Sequence, residues 1–287
     1  MKFSKKTKLV FIFVAVFLIG LAVPSYSWTR KNVKEIETFY NSKLSPIIMI
    51  PGSSATENRF DGLVRKLNQD RRGAKHSLLK VKVWNNGRIT FEGKIKKNDN
   101  EPIIVIGFEN NNDGYSNIKK QAKMMNQAFE ALQNKYNFNN FKGLAHSNGG
   151  LIYTAFIENY LSDYDVKINS LMTIGTPYNF TETNIKNKSV MLADFIAAKK
   201  NIPSTLHVYS VAGTITYDSD ELVPDASVSA GKYIYQNQAK SYTEITVTGE
   251  DAQHSDLPTN DEVVELVKQH IEGQGVRKKQ KTKLEPQ

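Results

Sequence analysis

The chain has 287 residues, 40% hydrophobic and 23% charged. That is enough apolar material for a large core, and it excludes a disordered tail protein, a collagen-like repeat and a polytopic membrane protein. The absence of cysteine excludes a disulfide scaffold, a zinc–thiolate centre, a c-type haem and a cysteine nucleophile. The formal net charge of +9 is concentrated at the ends, in Lys2, Lys5, Lys6 and Lys8 and in Arg277, Lys278, Lys279, Lys281 and Lys283. The body between is close to neutral, with no basic face and no motif for nucleic acid.

The first elements read as an export signal. A basic start is followed by the apolar run LVFIFVAVFLIGLAV at 9–23, then Pro24 and the small residues Ser25 and Ser27 before Trp28. These are the three parts of a secretory signal. The run is shorter than the roughly 20 residues that cross a bilayer comfortably. Serine at both small positions is a weaker cleavage site than alanine, so residues 1–27 are expected to be a signal peptide or an uncleaved N-terminal anchor. Either way the body is expected to be secreted or held on the outer face of the cytoplasmic membrane. Residues 28–45 read as a polar lead-in with a short helix. Residues 28–272 are expected to form a single domain. The basic tail 273–287 reads as a disordered terminus, with a composition suited to contact with anionic envelope polymers or lipid.

Next, PIIMI at 46–50 reads as a buried strand stopped by Pro51-Gly52. A helix is expected at 60–68. Two strand-like runs flank Asn85-Asn86-Gly87, a hairpin signal. A buried strand at 101–109 precedes a long amphipathic helix at about 116–136. FKGLA at 141–145 reads as a strand, and LIYTAFIENYL as a helix. Further strands are expected at 168–175, 205–213 and 242–249, with helices at 189–200 and 261–272. Strands separated by helices predict an α/β fold, a mostly parallel central sheet with helices on both faces and a small β-hairpin insertion. In such sheets chemistry gathers at the carboxyl ends of the strands.

The sharpest motif is AHSNGG at 145–150, between an apolar strand and an apolar helix. It fits the G-x-S-x-G elbow with Ala145 in place of the first glycine, and it makes Ser147 the candidate nucleophile. A serine hydroxyl needs a base. His76 precedes the serine in the chain, His146 abuts it and reads as pocket lining, His207 sits in a strand, and His270 sits in a charged helix. His254 follows the last strand, where the order Ser, acid, His places a base. The acid is sought upstream, among Asp218, Asp220, Glu221 and Asp225. One oxyanion donor is expected to be the Asn148 amide, the residue after the nucleophile. The other is sought after the first strong strand, and Ser53 is the choice.

With these motifs quoted, the chain resembles the α/β-hydrolase superfamily. More narrowly it is similar to the Gram-positive cell-surface α/β hydrolases known as domain of unknown function 915. The likeness covers about residues 44–272 and rests on PIIMIPGSSATENRF, AHSNGG, IGTPYN, SDELVP and AQHSDLPTN. It favours Asp220, because a D-x-x-V-P stretch carries the acid in many relatives. Two departures are Pro51, where many hydrolases have histidine, and Glu221, where relatives often have glycine. The resemblance implies a serine hydrolase with an α/β-hydrolase fold and neither metal nor organic cofactor, and it leaves the natural substrate open. Small-molecule or lipid carboxylic esters are the expected substrates. An acyltransferase acting on an envelope alcohol, or an inactive hydrolase fold that only binds, would fit the same motifs. Tyr178, Phe180, Met191, Leu192 and Phe195 are candidates for lining an acyl pocket or, more simply, for packing a short helix.

Overall fold

The structure is a computed structural model that describes residues 4–69 and 75–273. Apart from Gly273, the basic tail lies outside the described residues. The chain divides into two compact units, one ending at Ser42 and the other beginning at Lys43.

The first unit is one helix, α1 (Lys5–Tyr40), of 36 residues. This corrects the expected polar lead-in with a short helix at 28–45. After Pro24 neither glycine nor proline interrupts the chain before Tyr40, and Lys31, Lys34, Glu35 and Glu37 are good helix formers. The helix therefore continues through the apolar run into the polar segment. None of its residues is buried. It is long and apolar enough to cross a membrane, a test that a signal sequence also passes.

The second unit runs β1 (Ile47–Ile50), α2 (Asp61–Gln69), β2 (Leu78–Val83), β3 (Ile89–Gly93), β4 (Ile103–Phe108), α3 (Tyr115–Tyr136), β5 (Asn140–His146) and α4 (Asn148–Asn159). It continues with β6 (Lys167–Ile174), α5 (Val190–Ala198), β7 (His207–Thr214), α6 (Asp225–Ser229), α7 (Lys232–Tyr235), β8 (Ser241–Thr248) and α8 (Asp261–His270). Among the described residues the strands form one sheet in the order β3-β2-β4-β1-β5-β6-β7-β8. All pairs are parallel except β2 with β3. The hairpin is inserted in sequence between β1 and β4, and in space it extends the sheet edge through the parallel pairing of β2 with β4.

The central strands are apolar on both faces because both faces are covered. Along β1, Ile48 and Ile50 join the cluster under α3, α4 and α5, while Ile47 and Met49 join the one under α2 and α8. The alternation repeats in β4, with Ile104 and Ile106 on one side and Ile103 and Val105 on the other. Helix starts are set locally. Ser189 Oγ accepts from Leu192 N at α5, and Asn260 Oδ1 accepts from Glu262 N and Val263 N at α8. The parallel strands all point one way, so the loops after β1, β4, β5, β6, β7 and β8 gather at one edge.

Candidate active site

Ser147 sits between β5 and α4 with φ 55 and ψ −134. A non-glycine residue at positive φ is strained, and that strain persists only where the surroundings hold it. Here Ser147 N donates to Ile174 O at 2.8 Å. Thr176 Oγ1 donates to Ser147 O at 3.0 Å. The loop after β1 presses from the other side. A Cβ on Gly52 would come within 2.6 Å of Ser147 Cβ and 3.1 Å of its Oγ, so only glycine fits without displacement.

His254 reaches this elbow from the loop after β8. Its Nε2 lies 3.0 Å from Ser147 Oγ, and its Nδ1 lies 2.6 Å from Asp220 Oδ2. Carboxylate oxygens only accept, so the Nδ1 proton points to Asp220 and Nε2 is free to accept from the serine hydroxyl. Asp220 is 1% exposed, and its other oxygen accepts from Leu222 N at 3.1 Å and Val223 N at 2.7 Å. The backbones are joined as well, His254 N donating to Asp220 O at 3.0 Å. Glu221 has φ 73, a conformation that glycine adopts at least cost. Gln253 Nε2 donates to its carboxylate at 3.0 Å.

The remaining acids and histidines fall elsewhere. Asp218 is exposed, and its carbonyl accepts from Asp225 N at 2.8 Å. His76 is buried between the Glu101 carbonyl, at 2.5 Å, and the Glu272 carboxylate, at 2.8 Å. His207 begins β7, at the amino end of the strand, and meets Ser241 Oγ. His270 stacks on Tyr209 at 4.3 Å, and its pKa is lowered by burial. Tyr178, Met191, Leu192 and Phe195 are core residues of the α4 and α5 face, with Phe180 partly buried against them. Packing is therefore the role the structure gives this segment.

The amides of Ser53 and Asn148 donate to no group among the described residues. The next amide, Ser54 N, is engaged with Asn111 O at 2.8 Å. Two contacts had no clear sequence signal. Asn148 Nδ2 donates to Ser53 Oγ and to Asp113 Oδ1, both at 2.6 Å. His146 Nε2 donates to the His254 carbonyl at 2.9 Å, with the two rings 4.7 Å apart. Burial pushes the His146 pKa well below its usual range, and the neighbouring His254 adds to this, so His146 stays neutral. Asp113 lies in the asparagine-rich run 109–114 after β4. It borders a polar depression of about 480 Å3 whose lining includes Asn85, Glu109, Asn112, Asp113, Ser116 and Lys120. Among the described residues, no group of three His, Asp or Glu side chains is arranged to hold a metal ion.

Comparison with known families matches residues 34–274 to the family described as "Alpha/beta hydrolase of unknown function (DUF915)". The chain belongs to this family. A solved structure from Lactobacillus plantarum, provisionally described as a cell surface hydrolase, shares 50% sequence identity with a TM-score of 0.73, over 79% of this chain and 91% of that one. A gene product from Listeria innocua shares 30% identity with a TM-score of 0.74, over 80% of this chain and 94% of that one. No curated protein matches the chain. The α/β-hydrolase fold and the coarse assignment as a hydrolase follow from family membership together with the parallel sheet.

Proposed function

We propose that the protein is an exported serine hydrolase that cleaves carboxylic esters, with Ser147 as nucleophile, His254 as general base and Asp220 as its orienting acid. The reading rests on one observation, the unbroken run of contacts from Asp220 Oδ2 to His254 Nδ1 at 2.6 Å and from His254 Nε2 to Ser147 Oγ at 3.0 Å. Ser147 Oγ attacks the acyl carbon as His254 Nε2 takes its proton, and the carbonyl electron pair moves onto oxygen. The amides of Ser53 and Asn148 receive that charge. Collapse expels the alcohol, which takes the proton back from His254, and leaves an acyl-serine. Water activated by His254 then releases the acid.

The test is hydrolysis of p-nitrophenyl esters across a chain-length series by the full chain in mild detergent, beside Ser147→Ala. Turnover in the wild type that vanishes in the variant, with fluorophosphonate labelling of Ser147, is the expected result. Wild type without turnover and without labelling refutes it.

Export rests on α1, which serves as a cleaved leader or as an anchor. Cell fractionation should find the protein in the membrane or medium, and recovery from the cytoplasm would refute export.

A further inference from the structure

The Asn148 side chain stands one residue beyond the nucleophile and carries a pattern that the ester chemistry above does not use. Its amino group donates to two acceptors, Ser53 Oγ and Asp113 Oδ1, each at 2.6 Å. A carboxylate offers no donor, so Asp113 accepts from the amino end of the carboxamide and repels the oxygen end. Asp113 is itself held, its Oδ1 also accepting from Gly114 N at 2.6 Å. Asp113 therefore fixes which end of Asn148 faces Ser53. Ser53 Oγ must then accept. Its own proton is committed to no acceptor among the described residues.

That proton lies in the loop whose Gly52 touches the nucleophile: a Cβ there would stand 3.1 Å from Ser147 Oγ. The Ser53 and Asn148 amides, the two expected oxyanion donors, belong to the two residues that this hydrogen bond joins. A hydroxyl that accepts one hydrogen bond is polarised to donate a stronger one. We infer that the Ser53 hydroxyl is a third oxyanion donor, kept available by the Asp113–Asn148 pair. Ser53 Oγ–H would bind the negative oxygen formed when Ser147 Oγ adds to the acyl carbon, and Asp113 is a positioning residue acting through Asn148. With Asp113 replaced by asparagine the carboxamide could reverse. Asn148 Oδ1 would then accept the Ser53 proton, and the third donor would be lost. The inference rests on the serine-hydrolase reading and adds to it a charge-binding group and the group that orients it.

The experiment compares the full-length wild type with S53A, S53T, D113N and the S53A/D113N double variant. It measures kcat and KM on p-nitrophenyl acetate and inhibition by an aryl trifluoromethyl ketone, which forms a tetrahedral oxyanion on the serine. Removal of one oxyanion donor elsewhere costs about 10²–10³ in kcat, and with two amides remaining roughly 10- to 100-fold is expected for S53A. KM should stay within about twofold, and ketone affinity should fall in step with kcat, as expected of a contact made mainly in the transition state. S53T keeps a hydroxyl and should retain most activity. D113N should lose several-fold in kcat. The double variant should match S53A, because carboxamide orientation is irrelevant once the hydroxyl is gone.

An S53A variant within twofold of wild-type kcat would overturn the inference. So would penalties for S53A and D113N that multiply, or a loss confined to KM or to melting temperature. If S53A does not fold, D113N at its exposed position decides: unchanged kcat and ketone affinity overturn the inference. Any of these results beside an inactive Ser147→Ala leaves the serine-hydrolase reading standing. Wild type without turnover or fluorophosphonate labelling removes both.

Discussion

Glu158 lies in the last turn of α4 and is 3% exposed, its Oε1 without a partner among the described residues. Its charge is felt by Tyr115, Tyr178, Tyr235 and Tyr242, none of which is ionised at neutral pH. Burial raises its pKa from 4.5 to about 9, so the folded protein holds this carboxyl protonated where the unfolded chain has released the proton. The stabilisation from the bound proton is complete below the unfolded value and is lost as pH rises through the window up to the folded value. Each pH unit inside that window costs about 1.4 kcal/mol. From pH 5.5 to 7.5 the loss is about 2.7 kcal/mol, or roughly 5–11 °C in Tm for a unit of this size. Glu158→Gln cannot titrate. Thermal unfolding by circular dichroism at pH 5.5, 6.5 and 7.5 should show the variant gaining steadily on the wild type. A constant offset would absorb any cost of placing the amide. A Tm difference between the two proteins that stays the same within about 2 °C across this range would refute the reasoning.

Two further predictions concern the site. Asp220→Asn presents an amide where His254 Nδ1–H needs an acceptor and favours the wrong tautomer, so kcat on p-nitrophenyl acetate should fall by about 10⁴; a loss under tenfold would refute the orienting role. Gly52→Ala places a methyl 2.6 Å from Ser147 Cβ and 3.1 Å from the His146 carbonyl. It should cost about 1–3 kcal/mol of stability with a fall in kcat, read from melting and kinetics together, and unchanged values in both would show that the loop yields freely.

The strands and the longer helices of the second unit were legible from apolar runs or helical spacing, whereas the short α6 and α7, only five and four residues long, were not expected. Residues 103–106 form an unbroken apolar run that only a sheet covered on both faces can bury, and α3 shows its buried face at Ile118, Ala122, Met125 and Phe129. Ser147 was legible because its elbow is contiguous in sequence. The continuous α1 was not, because Pro24 and the change from apolar to polar near Trp28 look like a boundary although the helix runs through both. Asp113 was not legible either. Nothing within ENNNDG distinguishes one acid as the partner of a carboxamide 35 positions away, since that pairing exists only once β4 and β5 have been placed on either side of β1.

That placement also accounts for how the strained serine is held. The loop after β1 brings Gly52 against Ser147, and the loop after β6 brings Thr176 to its carbonyl. The loops after β7 and β8 bring Asp220 and His254. Gly175, in the loop after β6, has φ 57, and a Cβ there would lie 3.1 Å from His254 Nδ1 and 3.2 Å from Asp220 Oδ2. The same short segment, Gly175-Thr176, thus braces the elbow with one residue and makes room for His254 and Asp220 with the other. A positive-φ serine costs of order 1–3 kcal/mol. Here that strain is opposed by contacts from separate strand ends, so relaxing it would require several loops to move together. The hydroxyl is thereby kept at hydrogen-bond distance from His254, and under the proposed mechanism reorganisation at the moment of attack would be small.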